Sequence, residues 1–138
     1  MTPEALAALH GAAFAGKGPW SAASFAELLM SPHVHLLTRP NGFALIRTIA
    51  GESELLTLAV HPDVHRRGIA RDLMRDWLGR AAAQADSAFL EVAADNLAAR
   101  ALYDAFDFRE TGRRPGYYRR ESGKNADAVL MSRPLIHG

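Results

Sequence analysis

A glutamate inside an apolar run is the first residue of the chain whose setting suggests chemistry. The run Ala88-Phe89-Leu90-Glu91-Val92 predicts a strand, and glutamate is rarely buried there without a partner. Partial burial would raise the pKa of such a carboxyl group toward neutrality, where a general base works best. Tyr103 lies twelve residues on, with Asn96 between them. An exposed strand glutamate, a core aromatic and a helix cap are the structural alternatives for these three residues.

A basic loop with one glycine precedes the longest predicted helix. It runs His65-Arg66-Arg67-Gly68-Ile69-Ala70-Arg71, where the first helical turn would usually favour acidic residues. Arginines there are unfavourable unless an anion is bound, and the free N–H groups of a helix start suit a phosphate or pyrophosphate. The loop matches neither the Walker A pattern nor the dinucleotide pattern Gly-x-Gly-x-x-Gly. A solvated basic loop is the alternative.

The overall composition narrows the class of protein. The 138 residues suit one domain, residues 1–138, and a net charge of +1 is too small for a dedicated nucleic-acid binder. The chain has no cysteine, which excludes disulfides, a thiolate nucleophile and cysteine–zinc sites. No apolar run approaches the roughly 18–20 residues of a membrane span, and no base precedes the apolar residues 5–16. We therefore expect a cytoplasmic protein with neither a membrane segment nor a signal peptide.

Hydrophobic periodicity and capping residues predict an alternation of helices and strands. Helices are predicted to begin at Thr2-Pro3, at Ser21, near Ile69, and at Asp95 or Asn96. Strands are predicted at 34–38, 43–50, 54–60, 87–93, 108–114 and 126–133. Tyr117 and Tyr118 fall in the loop between the last two strands. The strand–helix–strand unit in the middle implies a parallel pair, so the predicted class is α/β (mixed α+β) with a mixed sheet.

The basic loop resembles the acyl-CoA loop of the GCN5-related N-acetyltransferase (GNAT) superfamily. VHRRGIARDLM, which starts at residue 64, is similar to the superfamily pattern Q/R-x-x-G-x-G/A, although His65 stands where glutamine or arginine is usual. The resemblance implies that the loop holds the pyrophosphate of acetyl-CoA. The residues implied in cofactor binding are Arg66, Arg67, Gly68, Ile69, Ala70 and Arg71.

The same resemblance implies a fold and a place for the rest of the cofactor. The expected architecture is a single-domain GNAT fold, a twisted mixed sheet flanked by helices with a splayed central pair of parallel strands. Leu58, Ala59 and Val60 would border the gap that takes the pantetheine arm. A backbone N–H near Val60 would then polarise the thioester carbonyl.

The segment around Glu91 resembles a narrower group, the bacterial ribosomal-protein-alanine N-acetyltransferases. LEVAADNLAARALYDAFDF, which starts at residue 90, is similar to LEVR-x-x-N-x-x-A-x-x-LY-x-x-x-GF of that group. The resemblance implies that Glu91 is the general base, that Asn96 contacts the acetyl-CoA arm and that Tyr103 protonates the departing thiolate. Asp107 replaces the glycine of the group, and we expect it to take the left-handed backbone conformation that aspartate tolerates.

Three further segments resemble N-terminal acetyltransferases and imply a peptide acceptor. They are similar to Pro-Trp-Ser, Arg-x-x-Tyr-Tyr and Asp-Ala-x-x-Met, and they begin at Pro19, Arg114 and Asp127. The resemblance implies that the substrate is bound by Trp20, Tyr117 and Tyr118. The implied acceptor is a protein N-terminus, with a ribosomal protein as one candidate, and neither DNA nor a metal takes part.

Other functions remain open from the sequence. The same fold could acetylate a small amine or a lysine, and a non-catalytic acyl-CoA sensor could keep the loop without Glu91 or Tyr103. The basic aromatic run RRPGYYRR could instead bind a nucleic acid through phosphate contacts and stacking. His33 and His35 could be two metal ligands, but no third is apparent, and a strand-edge pair is the simpler interpretation.

Overall fold

The computed structural model describes residues 1–14 and 20–135, and this part of the chain has the predicted order of helices and strands. Its helices are α1 (Pro3–Ala13), α2 (Ala22–Leu29), α3 (Ile69–Ala82) and α4 (Leu97–Ala105). Its strands are β1 (Val34–Arg39), β2 (Gly42–Ile49), β3 (Glu52–Val60), β4 (Ser87–Ala93), β5 (Arg109–Tyr118) and β6 (Ala126–Pro134). A 3₁₀ turn at Pro62–Val64 follows β3. None of the helices in these two ranges is long and apolar enough to span a bilayer.

The strands form one mixed sheet in the order β1-β2-β3-β4-β6-β5. β3 and β4 are parallel, and every other neighbouring pair is antiparallel. A parallel pair needs a crossover connection, which α3 and the loop before it supply. This arrangement confirms the predicted fold class and places the basic loop at the end of β3.

Local side-chain caps determine where three of the helices begin. The Thr2 hydroxyl caps α1 and the Ser21 hydroxyl caps α2, each by accepting a hydrogen bond from an N–H three residues on. Asn96, rather than Asp95, caps α4. At the other end of α4, Asp107 has a φ of 69°, which confirms the predicted left-handed conformation.

α3 and α4 pack on one face of the sheet over the larger hydrophobic core. Trp77 of α3 is wholly buried there, and its ring stacks on Phe108 with centroids 5.6 Å apart. The Trp77 indole N–H donates to the Ser53 hydroxyl at 2.9 Å. An indole N–H buried without an acceptor would cost free energy, so this hydrogen bond ties α3 to the beginning of β3.

α1 and α2 cover only part of the opposite face. Their core cluster draws on α1, α2 and strands β1 to β3, through residues Leu6, Phe25, Val34, Phe43, Leu45 and Ala59. No described residue of β4, β5 or β6 belongs to that cluster. Because side chains alternate along a strand, Glu91 lies on this same face, opposite the buried Leu90 and Val92. Within residues 1–14 and 20–135, no helix therefore covers the β4–β6–β5 half of this face.

The structure corrects the prediction for Tyr117 and Tyr118, which lie in β5 rather than in a loop. β5 bulges between Arg114 and Tyr118, where Gly116 takes a φ of 60°. The strand then resumes, and Tyr118 pairs with Ala126 of β6. The polar composition of this run conceals the strand in the sequence, although its pairing partner β6 is the next strand along the chain.

Candidate active site

The parallel strands β3 and β4 separate within the sheet. They pair only over Glu52–Leu55 and Ser87–Leu90. Beyond that point β3 continues along β2, and β4 continues along β6, so a gap opens between the two. This confirms the expected splayed pair. Residues 58–60 border the gap on the β3 side, and Glu91 lies on the first unpaired stretch of β4.

The segment between β3 and α3 has a backbone suited to an anion. Arg66 and Gly68 both take the left-handed conformation, with φ values of 68° and 80°. Gly68 is the N-cap of α3 and has no side chain to cap it, so the N–H groups of Ile69, Ala70 and Arg71 have no partner among the described residues. Free N–H groups at a helix start, next to left-handed residues, favour a bound phosphate.

The arginines of this loop add positive charge that nothing nearby neutralises. Arg66, Arg67 and Arg71 are exposed, and none forms an ion pair with an acidic residue in the two described ranges. Arg39 on the neighbouring β1, by contrast, contacts two aspartates of α3 at 3.3 and 3.1 Å. The charge and the free N–H groups therefore favour the same ligand, a phosphate or pyrophosphate.

Two contacts hold this loop against the sheet. The His65 Nε2–H donates to the Val60 carbonyl at 2.9 Å, so the unusual histidine of the loop reaches back to the end of β3. On the other side, a Cβ added to Gly42 would lie 2.8 Å from the Ile69 side chain. Only glycine allows the β1–β2 turn to approach the start of α3 so closely.

Glu91 forms an ion pair that sequence reasoning missed. Its side chain is 25% exposed, and its Oε2 lies 3.2 Å from Nη2 of Arg114. Arg114 belongs to β5, so its side chain reaches across β6 to the carboxylate. The same guanidinium lies 5.0 Å from the centre of the Tyr117 ring. Arg114 was known from its motif, but only the strand order places it beside the candidate base.

Tyr118 lies close to this carboxylate, and Tyr103 lies close to Tyr118. The Tyr103 ring is buried against Phe108, and burial raises the pKa of its phenol, with a smaller contribution from Tyr118. Burial likewise raises the pKa of Tyr118, and the negative charge of Glu91 raises it further. Both phenols are therefore protonated at neutral pH and remain able to donate.

The Tyr103 hydroxyl is available for a ligand. It forms no hydrogen bond with any residue that the structure describes, yet no fully buried side-chain oxygen or nitrogen there lacks a partner. The oxygen of Tyr103 must therefore retain access to solvent, although its ring is buried. A protonated hydroxyl without a hydrogen-bond partner is suited to donate its proton to a bound ligand.

Asn96 combines a structural contact with a free donor. Its Oδ1 accepts a hydrogen bond from the Ala99 N–H at 3.2 Å, which is the helix cap of α4. The Nδ2 group has no hydrogen-bond partner in the described part of the chain. The cap orients the amide, so the two interpretations of this residue are compatible.

Asp127 stabilises the backbone conformation of the segment that carries Tyr117 and Tyr118. Its Oδ1 accepts a hydrogen bond from the Gly116 N–H at 2.9 Å, and its Oδ2 contacts Arg113 at 3.1 Å. The hydrogen bond from Gly116, followed by the one from Arg113, lowers the pKa of this carboxyl. The aspartate of the Asp-Ala-x-x-Met segment thus fixes the bulge that precedes Tyr117 and Tyr118.

Trp20 lies in a packed aromatic group that also contains a residue missed from the sequence, His10. The Trp20 ring is 5.3 Å from the His10 ring and 5.4 Å from the Phe25 ring, and the Trp20 backbone N–H donates to His10 Nδ1 at 3.5 Å. These ring contacts are with α1 and α2 rather than with the tyrosines of β5. Pro19 lies outside the described residues. A histidine within an apolar helix was the only sequence signal for this group.

The histidine pair does not form a metal site with other described side chains. Within residues 1–14 and 20–135, no three His, Cys, Asp or Glu side chains are grouped as metal ligands. His35 is the second residue of the edge strand β1, and His33 directly precedes that strand.

Comparisons with known proteins cover nearly the whole chain. The model of the acetyltransferase (GNAT) family matches residues 15–108. The N-alpha-acetyltransferase RimI of Mycobacterium tuberculosis is 39% identical over 136 residues, or 92% of this chain and 83% of the relative. The ribosomal protein bS18-alanine N-acetyltransferase of Escherichia coli K12 is 32% identical, over 97% of this chain and 93% of the relative. The crystal structure of the ribosomal-protein-S18-alanine N-acetyltransferase from Escherichia coli has a TM-score of 0.86 at 30% identity, covering 99% of this chain and 88% of that one.

The buried His10 makes folding stability depend on pH. Burial lowers its pKa from 6.5 to about 4, so the unfolded chain takes up a proton at a higher pH than the folded chain does. The contribution of the neutral, buried His10 to folding stability is fully present above pH 6.5 and is lost as the pH falls toward 4. We expect this group to remove about 2 kcal/mol from the free energy of unfolding between pH 7 and pH 5.

His10→Asn is the matched variant, because its amide oxygen can accept the Trp20 N–H but does not titrate. Urea unfolding of both proteins at pH 7 and pH 5 measures the difference. The variant should lose about 2 kcal/mol less than the parent over this interval. Equal losses in the two proteins would contradict the assignment.

Proposed function

Because the chain belongs to the acetyltransferase (GNAT) family, we propose that it transfers the acetyl group of acetyl-CoA to the N-terminal α-amine of a protein. The family membership supports the acetyl donor. The name of the Mycobacterium tuberculosis relative, at 39% identity, supports an α-amine acceptor, and the name of the Escherichia coli relative, at 32% identity, supports alanine of a ribosomal protein. The structural observation that carries the proposal is the gap between β3 and β4, with Glu91 on its β4 side, Tyr118 close to Glu91, and Tyr103 close to Tyr118.

In this proposal the two ends of acetyl-CoA are recognised by different parts of the chain. Arg66, Arg67 and Arg71, with the free N–H groups at the start of α3, bind its pyrophosphate. Residues 58–60 pair with the pantetheine arm in the gap, and the Asn96 amide donates to it. The N–H near Val60 faces the thioester carbonyl and stabilises the charge that develops on its oxygen.

The protein supplies two proton transfers on either side of a direct attack. Glu91 removes a proton from the acceptor ammonium, whose lone pair then attacks the thioester carbon. Tyr103 protonates the thiolate that departs. Both substrates are bound together, and no covalent enzyme intermediate is needed. In the absence of an acceptor, Arg114 forms an ion pair with the Glu91 carboxylate. The ammonium group of an acceptor must therefore share or replace that contact.

The ionisation of the acceptor favours an α-amine. With a pKa of about 7.7–8.0, an N-terminal amine is roughly 10–15% neutral at pH 7, whereas a lysine side chain near 10.4 is below about 0.1%. A modest base therefore suffices for an N-terminus. An acceptor of the kind named for the relatives, a ribosomal protein, would also place the enzyme in the cytoplasm.

Acetyl-CoA should stabilise the folded protein through the loop before α3. At 100 times its dissociation constant a ligand adds about 2.7 kcal/mol to the free energy of unfolding, so thermal melts with acetyl-CoA should shift upward. Gly68→Asp places a carboxylate among the free N–H groups and should abolish the shift. Gly123→Asp is the matched control, since Gly123 also has a left-handed φ of 82° and open space around it. An unchanged melt of the parent protein would rule out this site.

Substitutions at Glu91 and Tyr103 should lower the catalytic rate and leave acetyl-CoA binding unchanged. Glu91→Gln and Tyr103→Phe should each lower kcat by about 10²–10⁴-fold, because each removes a proton-transfer group. Glu54→Gln is the control, as Glu54 is a strand glutamate of similar exposure, 24%, that also pairs with an arginine. Steady-state rates across pH and acetyl-CoA binding by calorimetry give the comparison. Wild-type turnover in both active-site variants would show that these roles are wrong.

A panel of acceptors tests the proposed function itself. A peptide that begins with alanine should be acetylated faster than its N-formylated form, an internal-lysine peptide or a polyamine. Tyr117→Ala and Tyr118→Ala should raise the KM for the peptide about 5–30-fold, equivalent to 1–2 kcal/mol, with little change in the KM for acetyl-CoA. Equal rates for all acceptors, or a preference for the polyamine, would favour a small-amine or lysine acetyltransferase instead.

A further inference from the structure

Arg120 and Asp95 form a two-pronged ion pair beside the active site. The Arg120 Nε and Nη2 groups donate to Asp95 Oδ2 and Oδ1 at 2.7 and 2.8 Å. Arg120 follows β5 by two residues, yet its side chain is only 17% exposed. A two-pronged pair of this kind is more rigid and stronger than an ion pair with a single contact, because both N–H groups are aligned with one carboxylate.

The same guanidinium covers one of the active-site tyrosines. The Arg120 Cζ atom lies 5.6 Å from the centre of the Tyr118 ring, within the range of a cation–π contact. Tyr118 is the last residue of β5, and Glu91 is close enough to act on its pKa. One side chain thus contacts the acceptor-side ring and an aspartate that follows the end of β4.

We propose that Arg120 and Asp95 are positioning residues that hold Tyr118 over the acceptor site, through a clasp formed by the three side chains. Asp95 directly precedes Asn96, so the clasp joins the end of β5 to the N-terminus of α4. It therefore connects the acceptor side of the site to the helix that carries Tyr103. This inference rests on the proposed peptide acceptor.

The clasp predicts an effect on one substrate more than on the other. Without the Arg120 guanidinium against its ring, the Tyr118 side chain is more mobile. Binding of the acceptor must then order this side chain, which costs conformational entropy. The loop that binds the pyrophosphate lies at the start of a different helix, α3. The acceptor KM should therefore rise, kcat should fall, and the acetyl-CoA KM should hardly change.

Kinetics of paired variants test this prediction. Arg120→Gln and Asp95→Asn should each raise the KM for an alanine-starting peptide about tenfold, with the acetyl-CoA KM within about twofold of the parent value. The double variant should be no worse than the single ones, because both remove the same clasp. Arg120→Lys should recover only part of the loss, since lysine cannot form the fork.

Arg109→Gln is the matched control. It removes an arginine–aspartate contact of 3.2 Å, to Asp104, at the opposite end of β5. Its acceptor KM should equal that of the parent protein. Additive effects in the double variant, equal changes in both substrate KM values, or an unchanged acceptor KM in Arg120→Gln would overturn the clasp.

Two further measurements distinguish an error in the clasp proposal from an error in the proposed function. If the parent enzyme acetylates only a polyamine or lysine, the peptide proposal fails, and the same variants are then measured with that amine. A crystal structure of Arg120→Gln tests the positioning without any acceptor. A displaced or disordered Tyr118 side chain would support the clasp, and an unmoved one would overturn it.

Discussion

The point at which β3 and β4 stop pairing determines the layout of this molecule. Two parallel strands that stay paired would use each other's backbone groups along their whole length. Here the pairing ends at Leu55 and Leu90, while outer neighbours keep both strands extended. The resulting gap separates the end of β3, which leads into the basic loop, from the stretch of β4 that carries Glu91. In the proposed function, the loop that binds the pyrophosphate and the candidate base therefore lie on opposite sides of one opening.

Charge is distributed unevenly around that opening. The arginines before α3 have no acidic partners among the described residues, while Arg39, Arg114 and Arg120 are all paired. An unpaired cluster at a helix N-terminus is locally unfavourable and becomes favourable with an anion present. The paired arginines perform a different task, since each orders a neighbouring segment. Arg114 and Arg120 both contact tyrosines of β5, so the acceptor side of the site is organised by guanidinium–ring contacts.

The uncovered half of the sheet gives the acceptor side its accessibility. α1 and α2 pack over β1 to β3, and the remaining strands present Glu91 and the bulged end of β5 on the same face. The bulge is held by one carboxylate, Asp127, through the Gly116 N–H. A change in that single hydrogen bond would shift both tyrosines relative to the base. The site therefore depends on backbone geometry as much as on the identity of its side chains.

The sequence by itself determined the features that depend on neighbouring residues. The order of elements follows from periodicity, the helix starts follow from the caps at Thr2, Ser21 and Asn96, and the anion loop follows from its arginines and Gly68. The candidate base and acid were found because their types and spacing resemble a known segment. Which of these groups meet depends on the tertiary structure. β6 lies between β4 and β5, and that strand order puts Arg114 on Glu91. This contact joins residues more than 20 positions apart across a third strand, so no local pattern encodes it.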